Sequence, residues 1–160
     1  MTRVYLSLGS NIDREKHIRN GLQALSALFG ELILSQVYES EAVGFAGDPF
    51  FNLVVGLTTE MTIADLQSQI KQIEDDNGRD RQGPKFSSRT LDIDILTYGD
   101  FVGEEAGVIL PRDEITENAF VLLPLSEIAG HELHPQLDVS YQALWQNYDK
   151  SRQKLWPVQL

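Results

Sequence analysis

The apolar positions of this chain change period along its length, and the changes mark out its elements. From Arg3 to Leu8, the residues Val4, Leu6 and Leu8 alternate with their neighbours, the period-two pattern of a strand. After Gly9-Ser-Asn-Ile the period lengthens. Ile18, Leu22, Leu25 and Phe29 fall on one helical face, with Asn11 or Asp13 to cap the helix and Gly30 to stop it. Ile33 to Tyr38 reads as a second strand and Phe50 to Thr59 as a third. The loop between them, Glu39 to Pro49, is long enough to be a binding loop. Thr62 opens a second helix, with Asp65 placed like the acid of a capping box, Ile63, Leu66, Ile70 and Ile73 as the buried stripe, and Gly78 as C-cap. A fourth strand follows, with Leu91, Ile93 and Ile95 against Asp92 and Asp94. Residues 98–115 read as a hairpin or irregular connection, and Ala119 to Ile128 as a short helix and turn broken at Pro124. Tyr141, Leu144 and Trp145 are core positions of a last helix. The order β-α-β-β-α-β predicts one α+β domain over residues 1–160. It is a ferredoxin-like core with an antiparallel-rich sheet, helices on one face, and a C-terminal helical extension.

The fourth strand carries the first chemical signal. Successive strand side chains point to opposite faces, so Asp92 and Asp94 share one face, with Cα atoms roughly 6.5–7 Å apart. Two carboxylates that close repel unless positive charge lies between them, and a hard divalent cation such as magnesium suits carboxylate oxygen while leaving positions for phosphate. A lone Asp-x-Asp is more often a solvated strand face. The distribution of cations changes that reading. Of 13 Lys and Arg, five (Lys71, Arg79, Arg81, Lys85 and Arg89) crowd just upstream, none lies between 20 and 70, and only Arg112 lies between 90 and 149. The pattern predicts a site for a metal-bound polyphosphate.

Composition narrows the remaining classes. The formal charge of −11 argues against a nucleic-acid partner, while a local basic cluster remains compatible with a small anion. No cysteine is present, so disulfides and thiolate metal sites are excluded. No apolar run approaches a membrane span and the N-terminus lacks a signal-peptide core, which makes cytoplasm the expected compartment and membranes unexpected partners. Gly-x-x-x-x-Gly-Lys, His-Glu-x-x-His and Gly-x-Ser-x-Gly do not occur, and His17, His131 and His134 read as structural or exposed.

At Arg89-Thr-Leu-Asp-Ile-Asp-Ile95 the sequence resembles the 6-hydroxymethyl-7,8-dihydropterin pyrophosphokinase family of folate biosynthesis. The resemblance extends to Leu8-Gly-Ser-Asn11, Phe51-Asn52, Glu74 with Gly78-Arg79, and Ala119-Phe-Val-Leu-Leu-Pro-Leu125. It implies Mg-dependent transfer of the terminal pyrophosphate of ATP to the hydroxymethyl group of a reduced pterin, with release of AMP, by a monomer acting on small molecules. Asp92 and Asp94 would then hold two magnesium ions. Arg81 and Arg89 would contact the phosphates with Arg79 close by. Glu74, Lys85, Phe86, Ile95 and Arg112 would complete the nucleotide side. Phe50 and Phe120 would sandwich the pterin, Asn52 would bond its edge, and Ser40 to Val43, including Ala42, would offer it backbone groups. On their own residues, Phe50, Phe120 and Asn52 read as core packing.

The chain departs from the family at several places. Phe86-Ser-Ser-Arg89 replaces a common Trp-Gly-Pro-Arg. Pro111-Arg112-Asp113 and Asn118 stand where a Pro-His-x segment and an arginine are usual. Gly107 and Ile109 occupy places that are often polar and ATP-contacting. The alternative to an active enzyme is therefore a divergent relative that binds a pterin or nucleotide without turnover. The residues also leave open whether Asp94 or a metal-held hydroxymethyl oxygen manages the proton.

Overall fold

The computed structural model describes residues 1–41, 47–78 and 90–160. Its elements run β1 Thr2–Ser10, α1 Arg14–Phe29, β2 Ile33–Leu34, β3 Val37–Ser40, β4 Phe50–Thr59, α2 Ile63–Asp76, β5 Asp92–Tyr98, β6 Gly103–Glu105, β7 Val108–Leu110, α3 Glu114–Glu117, α4 Ala119–Ala129, α5 Tyr141–Gln146 and β8 Leu155–Val158. The main sheet has the order β5-β1-β4-β3-β8, with β2 beside β4 and every pairing antiparallel. Its first four members are the ferredoxin-like sheet that the element order predicts. Residues 98–115 do form a hairpin, β6 with β7.

The predicted helices form where the stripes place them. Ile18 and Leu25 are fully buried beneath α1, with Leu22 and Phe29 packed against the same core. Gly30, at φ 77°, closes α1 by donating its N–H to the Ser26 carbonyl at 2.8 Å. Asp13 takes the N-cap position without a side-chain cap bond, because Asn11 is committed elsewhere and donates to the Asp48 carbonyl at 3.1 Å. Thr62 caps α2 by accepting from the Asp65 N–H, and Asn77 rather than Gly78 is its C-cap. On the sheet face beneath α1 and α2, Leu91, Ile93 and Ile95 join Val4, Leu6, Leu8, Leu53 and Leu57 in one core.

Four expectations are corrected. The second strand is two short ones and extends to Ser40, so the following loop starts later than Glu39. The break comes from Ser35, whose Oγ accepts the Val54 N–H at 2.9 Å and so takes a place in the ladder that a backbone carbonyl would fill. Pro124 does not break α4. It removes a single intrahelical hydrogen bond, whereas Val121, Leu122, Leu125 and Ala129 are all buried, and that burial outweighs the loss. Helices cover both faces of the sheet. Tyr5, Val54 and Leu96 face a second core built with Ile115, α4 and Tyr141 of α5. Finally, the tail is not only helical: β8 adds to the β3 edge, and its half-exposed Leu-Trp-Pro-Val sequence has no alternation to reveal it.

The second face is covered only in part. Towards the β5 N-terminus, Asp92, Asp94, Ser7, Asn52 and Phe50 are half-buried, while Ile93, Leu8 and Leu53 on the opposite face are closed. Among the described residues no helix is long and apolar enough to cross a membrane.

Two predictions follow from packing alone. A Cβ on Gly21 of α1 would lie 3.0 Å from Leu91 Cδ2 and 3.5 Å from Leu8 Cδ2. Gly21→Val should therefore cost about 1–3 kcal/mol, read as a lower midpoint in urea with an unchanged slope. His134 is buried, and its Nδ1 accepts the N–H groups of Gln136 (3.2 Å) and Leu137 (3.1 Å), which requires neutral imidazole. Burial lowers its pKa below the ordinary 6.5. Below that value the unfolded chain binds the extra proton more readily, so this contribution is whole above 6.5 and is lost as pH falls. Between about pH 7.5 and about pH 5 the wild-type melting temperature should fall more steeply than that of His134→Asn.

Candidate active site

The sheet register brings the candidate residues together. Asp92 lies opposite Gly9, Gly9 opposite Asn52, and Asn52 opposite Tyr38, so one cross-strand row carries an acid, a gap and an amide on a single face. The next row holds Asp94, Ser7 and Val54. Gly9 is the gap, and the space is tight: a Cβ there would be 3.0 Å from Asn52 Oδ1 and 3.6 Å from Phe50 Cδ1, so a larger residue would push the amide aside. Its missing side chain leaves a floor between the carboxylates and the amide.

Asn52 is oriented by its neighbour on β3. Its Nδ2 donates to Ser40 Oγ at 2.7 Å, which aims the amide along the sheet surface. Phe50 lies opposite Ser40, half-buried on the same face. Phe120 stands in the first turn of α4, also half-buried. That turn is fixed by the C-terminal tail. The Gln153 side chain accepts the Ala119 N–H and donates to Asn118 Oδ1, both at 2.8 Å. Tyr148 adds a hydrogen bond to the Glu117 carbonyl at 2.7 Å.

On β5 the two carboxyl groups share one face, and Asp94 is held well above the usual carboxylate range. Burial is the largest cause and the neighbouring Asp92 the next, opposed by Arg112. Arg112 Nη2 stands 3.4 Å from Asp94 Oδ1, and its Nε donates to Glu114 Oε1 at 3.2 Å. Burial acts to lower the Arg112 pKa, but Asp94 and Glu114 outweigh it and the guanidinium is held more firmly charged. A bulge puts Arg112 there. Leu6 pairs with Ile95 and Tyr5 with Thr97, so Leu96 has no opposite on β1, and its carbonyl accepts the Arg112 N–H at 2.9 Å. Glu74, buried at the end of α2, accepts the Ile93 N–H at 2.8 Å and ties the acidic strand to that helix.

Beside this strand lies a cavity of about 590 Å³, within the range for small-molecule sites. Asp94, Ile95 and Arg112 line it with Gln67 of α2 and Gln136. Gly107 and Ile109, the two apparent departures, are in its wall. Among the described residues no group of three or more His, Cys, Asp or Glu is arranged to hold a metal. Asp92 and Asp94 alone still suit a hard cation that keeps most of its waters and takes its other oxygens from phosphate.

The structure therefore brings Asp92, Asp94, Asn52, Ser40 and Phe50 to one open face, and Ile95 and Arg112 to the adjoining cavity. Glu74 touches the strand from the other side. Ala42, Val43, Arg79, Arg81, Lys85, Phe86 and Arg89 lie outside the described residues. Sequence reasoning missed Gly9 as a floor, Glu114 as the Arg112 partner, and Gln67 and Gln136. Only Gly9 carried a local signal, as a glycine ending a strand next to a turn.

A sequence model of 7,8-dihydro-6-hydroxymethylpterin-pyrophosphokinase matches residues 5–130. The 2-amino-4-hydroxy-6-hydroxymethyldihydropteridine pyrophosphokinase of Porphyromonas gingivalis is 37% identical over 142 residues, which cover 85% of this chain and 96% of that protein. The folic acid synthesis protein FOL1 of Dictyostelium discoideum is 36% identical over 86% of the chain, but the match spans only 21% of that longer protein. The crystal structure of wild-type Plasmodium falciparum HPPK-DHPS superposes with a TM-score of 0.69 at 16% identity, covering 94% of this chain and 46% of that one, which shows the shared fold. The chain belongs to the 7,8-dihydro-6-hydroxymethylpterin-pyrophosphokinase family.

Proposed function

We propose that this chain transfers the terminal pyrophosphoryl group of ATP to the hydroxymethyl oxygen of 6-hydroxymethyl-7,8-dihydropterin, a step of folate biosynthesis. A new bond forms between that oxygen and the β-phosphorus, the bond to the oxygen shared with the α-phosphorus breaks, and AMP leaves. The observation that carries this reading is the single row of acid, gap and amide beside a nucleotide-sized cavity.

Each part of the row has work suited to it. A pterin is flat, apolar on its faces and polar at its edge. The Gly9 floor gives it room, Phe50 and Phe120 supply π-faces, and Asn52 offers both a donor and an acceptor in the ring plane. Ser40 takes one of the Asn52 donors, which fixes the amide before the ligand arrives. Asp92 and Asp94 would hold magnesium, which when bound neutralises charge on the phosphates. Arg112 faces the same cavity and supplies a further positive charge there. Little covalent chemistry falls to side chains in such a transfer, so alignment of the two substrates is the main contribution. Arg81 and Arg89, with Arg79, Lys85 and Phe86, belong to this reading as phosphate and nucleotide contacts, and Ala42 and Val43 as pterin contacts, on the strength of the family motif.

Incubation with Mg-ATP and the dihydropterin should produce AMP, and no AMP above a pterin-free control would refute the assignment. In the same assay Asp94→Asn should lower the rate by roughly 10²–10³-fold or more, while its melting temperature is unchanged or higher because a like-charge contact has gone. Equal rates for the two proteins would remove Asp94 from the machinery. Asn52→Ala should weaken pterin binding about tenfold, the worth of one well-made hydrogen bond, and leave affinity for an ATP analogue unaltered. Calorimetry with each ligand separately checks both halves.

A further inference from the structure

Arg112 is placed where a bound cation would be its competitor. Its Nη2 approaches Asp94 Oδ1 at 3.4 Å, and its Nε is engaged by Glu114 at 3.2 Å. Its backbone is fastened to the Leu96 bulge, and its side chain lines the same cavity as Asp94 and Ile95. We propose that Arg112 is a resident counter-ion that keeps the Asp92–Asp94 pair closed to a bare divalent cation and exchanges Asp94 for phosphate oxygen when a nucleoside triphosphate enters. This rests on the reading that Asp92 and Asp94 hold the metal.

The physical argument is a competition for one carboxylate. Asp92 and Asp94 share one strand face and repel, and among the described residues Arg112 is the cation that offsets this repulsion at Asp94. A divalent cation arriving alone must displace that guanidinium from a half-buried carboxylate, and among the described residues Glu114 is the acid still paired with it. A triphosphate changes the balance, because a guanidinium binds phosphate oxygens through two parallel N–H groups at least as well as it binds a carboxylate. Glu114 engages only Nε, so both terminal nitrogens can turn to the phosphates while the side chain stays anchored. Metal and nucleotide therefore help each other to bind, and such coupling is reciprocal.

Mn²⁺ is the probe, with its affinity read by electron paramagnetic resonance of the free ion, with and without a non-hydrolysable ATP analogue. Without nucleotide, Arg112→Gln should bind Mn²⁺ about tenfold more tightly than wild type, and Arg112→Lys, which keeps the charge, should stay near wild type. With Mn²⁺ saturating, Arg112→Gln should bind the analogue about tenfold more weakly. Arg112→Met gives the same expectation should the amide variant fail to melt cooperatively. A neutral variant whose Mn²⁺ affinity is unchanged or weaker than wild type overturns the proposal. If adding Asp94→Asn to that variant then abolishes Mn²⁺ binding, the metal assignment survives that result. Absence of Mn²⁺ binding in every protein, with and without analogue, overturns both.

Discussion

Two carboxyl groups on the same face of one strand repel each other, and that repulsion organises the open end of this structure. Asp94 is buried enough, and near enough to Asp92, that its charged form is disfavoured. The strand cannot turn either acid away, because Ile93 and Ile95 on the opposite face are locked into the core beneath α1 and α2. A slip of one residue would bury both acids and expose the aliphatics, so the core enforces the repulsion. Opposite charge is then required, and Arg112 supplies it from a chain segment docked on the Leu96 bulge.

The same register explains why the site forms at this end of the sheet. On the face that carries the acids, Tyr5, Val54 and Leu96 are packed beneath α4 and α5. Further along β1, the side chains on that face shrink to Ser7 and then Gly9, and the first turn of α4 carries Phe120. Small residues on the central strand thus convert a packed interface into a cleft. Asn52 and Asp92 border it from neighbouring strands because antiparallel pairing fixes them on either side of Gly9. Gln153 and Tyr148, remote in sequence, hold the turn that carries Phe120, so the C-terminal tail is part of the site's support.

Where one local period dominated, the sequence was legible. The alternation at 91–95 and the helical stripes at 18–29 and 63–73 each bury the residues that periodicity selects. The β4 limits at Phe50 and Thr59 agree with the alternating and apolar run there. What escaped depended on partners distant in the chain. The Ser35 interruption needs Val54 across the ladder, the intact α4 needs a second core that no local pattern announces, and β8 needs an edge to join. Within the site the same division holds. Asp92 and Asp94 announce themselves by residue type and strand parity, whereas Asn52 reads as core packing until the family resemblance singles it out. The floor role of Gly9 and the pairing of Arg112 with Asp94 exist only once strands are aligned.

The segment from 107 to 118 illustrates how substitution can alter a site without dismantling it. Gly107 and Ile109 offer no polar side chains, yet the β6–β7 hairpin still places them in the cavity wall. Arg112 adds a fixed charge that imidazole would carry only in its protonated form. On the proposed reading, an arginine in that position would attract phosphate and compete with metal at once, so its two effects on a metal-bound triphosphate would have opposite signs when the partners arrive separately and the same sign when they arrive together.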